Sequence, residues 1–440
     1  MQNQTNEAAL ERAIQKLLTG TSLEDLKKEG LSIDKVNEDK SVYQTGKGYF
    51  VGQSTNYNKQ FAIDEQFFWD FLEITQKDEL EKLKRQSDYK LKILHRFDRI
   101  IKKYGVLHVL KKGLQVDDAH FTLFYQFPLA SSSTQVRENF ESNRFSITRQ
   151  LRYNQDNPGE ELDVVLFING IPLVTMELKN PWTGQNARLH GQEQYKKDRD
   201  TKQPLLQFAR CIVHFAVDTD EAYMTTKLDG KKTFFLPFNK GNNNGKGNPE
   251  LPKGETGHKT KYLWTEVFTR ESLANIIQHF VRLDGKKKDA LSGKTLFFPR
   301  YHQLDVVRKL VDHASKNGVG QRYLIQHSAG SGKSNSITWA AYQLIETYPQ
   351  TKQTPGAKAI DQPLFDSVIV VTDRRLLDKQ IRDNIADFSE VKNIIDPAYS
   401  SKDLKENLEQ GKKIIITTIQ KFPFIIDEIA DLSENNFAVI

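Results

Sequence analysis

E-L-D-V-V-L-F-I-N-G-I-P-L-V-T-M-E-L-K-N-P, residues 161–181, decides how the first half of this 440-residue chain folds. Two apolar runs flank Asn169-Gly170, a pair that tolerates the positive φ of tight turns, so the stretch predicts a β-hairpin. One arm opens with Asp163. The other carries Glu177 and Lys179, which are two residues apart and share a strand face. Whether Asp163 joins that face depends on register. A two-residue turn pairing Ile168 with Ile171 would set Asp163 opposite Met176 and send Glu177 to the other side. A three-residue loop of Ile168, Asn169 and Gly170, with Gly170 left-handed in a G1 bulge, pairs Phe167 with Ile171 and brings both acids to one face. The sequence therefore predicts that bulge, and a plain two-residue turn counts against a shared site.

Two carboxylates and a lysine on one sheet face suit metal-dependent phosphodiester cleavage. Asp163 and Glu177 would hold Mg²⁺, and Lys179 would steady charge building on the phosphate. The same residues also suit a solvent-facing strand, where Glu-x-Lys is common. Against that stand the apolar flanks, Pro181 ending the strand, and the cost of desolvating charges without a purpose. A helix expected over 187–200 would bring Gln192, Gln194 and Tyr195 near the metal. Glu11, on an amphipathic helix expected over residues 5–18, is either a further contact or a surface residue.

The length allows two or three domains, each with its own core. With 63 basic and 57 acidic residues spread along the chain, the net charge of +6 favours a polyanionic partner only mildly. The single cysteine, Cys211, excludes an internal disulfide framework and any multi-cysteine zinc site. No signal peptide and no run of membrane-spanning length is present, so a soluble, cytoplasmic protein with no membrane association is expected. Strands are expected at Ala119–Tyr125, Phe145–Tyr153, Cys211–Val217 and Ala222–Thr226, around the hairpin and helix, giving an α/β unit with a mixed sheet. The basic stretch Lys90–Lys112 reads either as the solvated face of a helix or as a DNA contact.

Residues 239–261, rich in Gly, Asn, Pro and Lys, read as an exposed, mobile loop or linker. Val267–Leu283 is expected to be helical. From about Leu296 apolar strands alternate with helices. Tyr323–Gln326, Ser367–Thr372 and Lys413–Thr418 are expected as strands, Asn436–Ile440 as the start of another, and Ser336–Tyr348 as a helix. That pattern indicates a parallel sheet covered on both faces. Expected boundaries are 1–240 for the first domain, 241–290 for a loop and linker helix, and 291–440 for the second domain.

H-S-A-G-S-G-K-S, residues 327–334, matches the phosphate loop G-x-x-x-x-G-K-[ST] except that His327 replaces the first glycine. Gly330, Ser331 and Gly332 would curl backbone N–H groups round phosphates, Lys333 would reach the β- and γ-phosphates of ATP, and Ser334 would ligate Mg²⁺. Upstream, Gln303 of R-Y-H-Q could hydrogen-bond both donor and acceptor groups of adenine.

These stretches together, with V-H-F-A-V-D-T-D-E-A-Y-M-T-T-K-L-D-G-K-K-T-F-F-L-P-F-N-K-G (213–241), F-P-R-Y-H-Q (298–303), V-V-T-D-R-R-L-L-D-K-Q (370–380) and I-T-T-I-Q-K-F (416–422), resemble the restriction (R) subunit of type I restriction–modification enzymes. The resemblance implies a restriction-endonuclease-like, mixed-sheet nuclease domain with Asp163, Glu177 and Lys179 as its residues. A RecA-like, parallel-sheet P-loop domain would follow, the first half of a motor that translocates double-stranded DNA using ATP. It also implies modification and specificity subunits as partners. Phe298, Tyr301 and Gln303 fall in that family's adenine-reading region. Thr372, Asp373, Arg374, Thr417 and Thr418 fall in loops that touch DNA or connect to it. Family members continue beyond F-A-V-I into a D-E-A-H-type box, so this stretch alone is expected to hydrolyse ATP hardly at all. The alternatives are a catalytically silent fragment that binds DNA or nucleotide, and a stand-alone antiviral nuclease–helicase.

Overall fold

A computed structural model describes residues 7–38, 46–85, 87–243, 245–286, 288–373, 395–427 and 432–440. The chain packs into two units. One runs to Phe127 and resumes from Thr134 to Phe298; the other comprises Pro128–Ser133 and Pro299–Ile440.

The first unit begins with α1 (Glu7–Thr19) and α2 (Leu23–Glu29), followed by the short strand β1 (Phe50–Val51). Next come α3 (Glu65–Thr75), α4 (Tyr89–Tyr104), α5 (Val106–Lys112) and the small hairpin β2 (Leu114–Val116) and β3 (Ala119–Phe121). The main sheet adds β4 (Phe145–Arg152), β5 (Glu161–Ile168), β6 (Ile171–Leu178), β7 (Val213–Val217), β8 (Ala222–Thr225) and β9 (Leu236–Pro237). These strands lie in the order β1-β4-β5-β6-β7-β8-β9. The β1–β4 and β6–β7 pairs are parallel and the others antiparallel, so the sheet is mixed. Every residue of β6 is buried, as expected of a central strand covered on both faces.

The hairpin turn is the plain two-residue type: Ile168 pairs with Ile171, and Asn169 and Gly170 have φ of 49° and 75°. The G1 bulge expected at Gly170 is therefore absent. The register is corrected elsewhere. Phe167 pairs with Pro172 but Leu166 pairs with Val174, so Leu173 is the extra residue of a bulge within β6. Pro172 has no N–H to give a ladder, which suits a bulged position. Beyond the bulge Val164 faces Met176, and the same register sets Asp163 opposite Glu177. The common face is restored by a different device from the one the turn suggested.

Several expected elements differ. The helix expected over 187–200 forms over 187–198, but as two π-helical turns, Ala187–Gly191 and Gln194–Asp198, joined by Gln192 and Glu193 in α-helical conformation. Of the strand expected over 119–125 only Ala119–Phe121 pairs. Residues 241–298 pack with the first unit, and Asn248 is buried there, its Nδ2 donating to Asp220 O at 2.8 Å. The Val267–Leu283 stretch combines π-helical turns, a short helix at Arg270–Asn275 and a strand at Arg282–Asp284.

The second unit holds α6 (Tyr301–Asn317), α7 (Lys333–Leu344), β10 (Ser367–Thr372), β11 (Ile395–Pro397), α8 (Ser401–Glu409), β12 (Ile414–Thr418) and β13 (Phe437–Val439). Its four strands are all parallel, in the order β11-β12-β10-β13. Tyr323–Gln326 is not a strand: it pairs with no strand among the described residues, and Leu324 is 93% exposed. Apolar content makes a segment fit to enter a sheet, but a strand forms only against a paired edge. Here a cleft of about 790 Å³, lined by Val306, Tyr323, Ile325, Phe437 and Val439 among others, separates the segment from β13. Arg374 lies outside the described residues. Among the described residues no helix is long and apolar enough to cross a membrane.

Candidate active site

Asp163, Glu177 and Lys179 come together where β5 and β6 run side by side. Leu178 N donates to Asp163 Oδ2 at 2.6 Å, which ties the acid of one strand to the backbone of the other. Gln150, next along β4 between the Arg149–Val164 and Leu151–Leu162 pairs, has φ of 50°. This distortion of the ladder falls opposite Asp163, and such irregularities re-aim neighbouring side chains.

Glu177 is fully buried. Its Oε1 accepts from Arg199 Nε at 2.7 Å, and its Oε2 has no partner among the described residues. Burial, reinforced by the Asp163 charge and opposed by Arg199, pushes the Glu177 carboxyl up to about 8. Burial also raises Asp163, against the pull of the Leu178 N–H and Lys179. Both acids thus carry a desolvation cost that a cation would relieve.

Lys179 is 7% exposed; its Nζ donates to Leu178 O at 2.7 Å and lies 3.4 Å from Glu7 Oε1. Gly191 lets the first π-helical turn lie against this lysine. A Cβ there would stand 3.1 Å from Ala216 Cβ and 3.5 Å from Lys179 Cγ.

Glu11 is not a surface residue. It is 3% exposed and accepts from Arg149 Nε at 3.0 Å, while Arg149 also donates to Glu24 at 2.8 Å. Burial lifts Glu11 to about 7; Arg149 opposes this and the Asp163 charge adds to it. Glu7, Glu11, Ile14 and Leu18 form one line along α1, so the sequence did hold a signal: an acid on the apolar stripe.

Tyr195 is buried, but its hydroxyl bonds Thr175 Oγ1 at 2.7 Å, and Thr175 in turn bonds His214 Nδ1 at 2.8 Å. Gln192 and Gln194 are half-buried and make no hydrogen bond to Asp163, Glu177 or Lys179 among the described residues. Arg199 was not singled out from the sequence. It spans the site by donating to Glu177, to Glu161 O at 2.7 Å and to Glu160 at 3.4 Å.

Among the described residues no three His, Cys, Asp or Glu side chains form a metal-holding group. The donor set here is two carboxylates, one with an orphaned buried oxygen. That fits Mg²⁺, which is held by one or two carboxylates and keeps several waters, better than a metal needing a full protein cage.

In the second unit, Gly330 and Gly332 have φ of 74° and 83°, and Gly332 caps the N-terminus of the twelve-residue α7. Lys333 Nζ donates to His327 O and Ser328 O at 3.2 and 3.1 Å, folding back over the loop. Gln303 is 3% exposed and fully engaged. Its Nε2 donates to Ser331 O and Gly332 O at 3.2 and 3.1 Å, and its Oε1 accepts from Arg300 N at 2.9 Å. Thr372, Thr417 and Thr418 are buried at the ends of β10 and β12.

Comparison with known proteins gives two regions. Residues 54–233, which include Asp163, Glu177 and Lys179, match the family model "Type I restriction enzyme R protein N terminus (HSDR_N)". Residues 302–440, which include the 327–334 loop, match the SWI2/SNF2 ATPase model. The HindI type I restriction enzyme endonuclease subunit of Haemophilus influenzae is 25% identical over 317 residues, covering 69% of this chain and 28% of that protein. The SauCOLORF180P endonuclease subunit of Staphylococcus aureus is 25% identical, covering 66% and 27%. The SsaAORF53P endonuclease subunit of Staphylococcus saprophyticus is 27% identical, again covering 66% and 27%. The chain thus spans under a third of the length of these relatives. With the R-protein N-terminal region and the ATPase region following one another along a single chain, it belongs with the R subunits of type I restriction enzymes.

Proposed function

We propose that the first unit is a Mg²⁺-dependent DNA endonuclease of restriction-endonuclease-like fold, and that the second is a RecA-like ATP-binding domain of a double-stranded-DNA translocase. The observation that carries the nuclease reading is the register of β5 on β6. It sets Asp163 opposite Glu177, with a buried, unpartnered Glu177 Oε2 and Lys179 two residues on. Asp163 and Glu177 would hold the metal. When bound, Mg²⁺ would polarise the scissile phosphate and lower the pKa of the attacking water. Lys179 leaves Leu178 O to meet the non-bridging phosphate oxygen as negative charge grows there. Arg199 keeps one oxygen of Glu177 fixed so that the other faces the reaction.

The likeness to type I restriction enzymes supports modification and specificity subunits as partners and a cytoplasmic setting. Gly330, Ser331, Gly332, Lys333 and Ser334 would bind the phosphates and Mg²⁺ of ATP at the α7 N-terminus. Gln303 would act on the nucleotide through the loop that it already holds.

The test is Mg²⁺-dependent nicking of plasmid by the purified chain. Lys179→Ala should lower it about 10²- to 10³-fold while leaving nucleotide binding intact. Equal nicking by the variant would sink the assignment. Salt-sensitive DNA binding without nicking under any condition would favour the silent binding fragment instead.

A further inference from the structure

From Tyr89 to Lys112 the chain carries eight Lys and Arg residues and a single acid, Asp98. The fold shows which of these cations are already used. Asp98 serves Arg210 and Lys102, at 3.1 and 2.7 Å. Lys92 pairs with Asp117, and Lys111 turns inward to the carbonyls of Gln278 and Val281. Arg96 Nε donates to Gln115 O at 3.1 Å, which pins its guanidinium beside the β2–β3 hairpin. Among the described residues the exposed side chains of Arg99 and Lys112 make no hydrogen bond or ion pair. Lys103 lies over the face of Tyr104, at 4.9 Å, and Tyr104 stacks on His108 with centroids 4.7 Å apart.

Arg96, Arg99 and Lys103 are spaced by three and four residues and so occupy one face of α4. Three shallow hollows of about 550, 620 and 390 Å³ run along this face, and Arg99 lines all three, so they adjoin as one furrow.

We propose that this furrow is a second DNA-binding surface of the first unit, one that holds the phosphate backbone of duplex DNA without reading bases. It rests on the reading of DNA as the substrate. From Arg96 to Lys103 the helix rises about 10 Å. One duplex strand places a phosphate every 3.4 Å or so of axis, so the row matches about three successive phosphates. The face lacks the broad apolar band that a membrane-surface helix needs. Cations without base-edge partners position a duplex rather than select its sequence.

The experiment measures anisotropy of a labelled mixed-sequence duplex with the whole chain, in EDTA, across a salt series. Arg99→Gln/Lys103→Gln/Lys112→Gln changes only exposed side chains, and an unchanged melting temperature would confirm that it folds. The triple variant should bind the duplex at least tenfold more weakly, with the slope of log affinity against log salt reduced by roughly 2–3. Unchanged affinity and slope would overturn the proposal. So would a loss confined to single-stranded oligonucleotides or to phosphatidylserine vesicles, which would reassign the furrow to another ligand. Lys179→Ala is read in parallel: normal anisotropy with lost nicking supports the cleavage site whatever the furrow does. Absence of duplex binding by the unmodified chain would overturn the substrate reading itself.

Discussion

Arg199 Nε holds Glu177 Oε1 at 2.7 Å, while Oε2 of the same buried carboxylate has no partner among the described residues. The pair is almost wholly removed from water, with Arg199 6% exposed and Glu177 fully buried. Above about pH 8, where Glu177 is ionised, removing Arg199 leaves an uncompensated buried charge, which costs about 3–5 kcal/mol in such settings. Arg199→Met should therefore lower unfolding stability by an amount of that order. Arg199→Lys, which keeps the charge and loses the fork, should cost less. The check is urea unfolding in a double-mutant cycle with Glu177→Gln. If Arg199→Met costs as much in the Gln background as in the native one, the pair carries no coupling.

The raised carboxyls set a pH dependence. Glu177 is pushed up to about 8 and Glu11 to about 7, both chiefly by burial. Between the ordinary carboxylate range and those values the folded protein binds more protons than the unfolded chain. Stability therefore falls as pH rises through this window and is greatest below it. In EDTA the melting temperature should decline from about pH 5 to pH 8, and Glu177→Gln should flatten that decline. Mg²⁺ should raise the melting temperature most at the alkaline end, because binding displaces the protons. A stabilisation by Mg²⁺ that is independent of pH would argue against both acids as its ligands.

Gly170 fixes the turn on which the acids' alignment depends. Its φ is 75°, and a Cβ there would lie 2.3 Å from Asp64 O and 2.6 Å from Phe68 N, both backbone atoms that cannot swing aside. Gly170→Ala thus combines left-handed strain of about 1–2 kcal/mol with displacement of α3. Destabilisation should exceed that of Gly184→Ala, where φ is 77° but nothing lies within 4 Å. Chemical unfolding of the two variants decides it, and equal losses would mean that the turn has room to give.

How much of this was legible in the sequence follows from the range of each interaction. The hairpin, its Asn-Gly turn and the trio at 163, 177 and 179 are local, and alternation with turn chemistry reveals them. The bulge at Leu173 is not local, because it depends on how β5 and β6 pack beneath their neighbours, and only Pro172 hinted at it. Arg199 bonds Glu177 across 22 residues and Arg149 bonds Glu11 across 138, and no periodicity reports such partners. In the second unit the buried runs at 367–372 and 414–418 paired as strands. Tyr323–Gln326, equally apolar, did not, since strand formation is a property of an edge as well as of a segment.

Gly332 is where α6 meets the 327–334 loop. Its φ is 83°, and a Cβ would stand 2.4 Å from Gln303 Nε2, the group that donates to Ser331 O and Gly332 O. Gly332→Ala therefore strains the backbone and also pushes the glutamine off the loop. Gly330, with φ of 74°, has nothing within 4 Å of its Cβ position, so Gly330→Ala brings strain alone. Titration with a fluorescent ATP analogue should show both variants weakened, Gly332→Ala at least tenfold more than Gly330→Ala. Adding Gln303→Ala to Gly332→Ala removes the clash but not the lost tether, so affinity should recover only in part. Full recovery would show that Gln303 does nothing for the loop except stand in the way, and equal losses in the two glycine variants would remove the contact from the argument altogether.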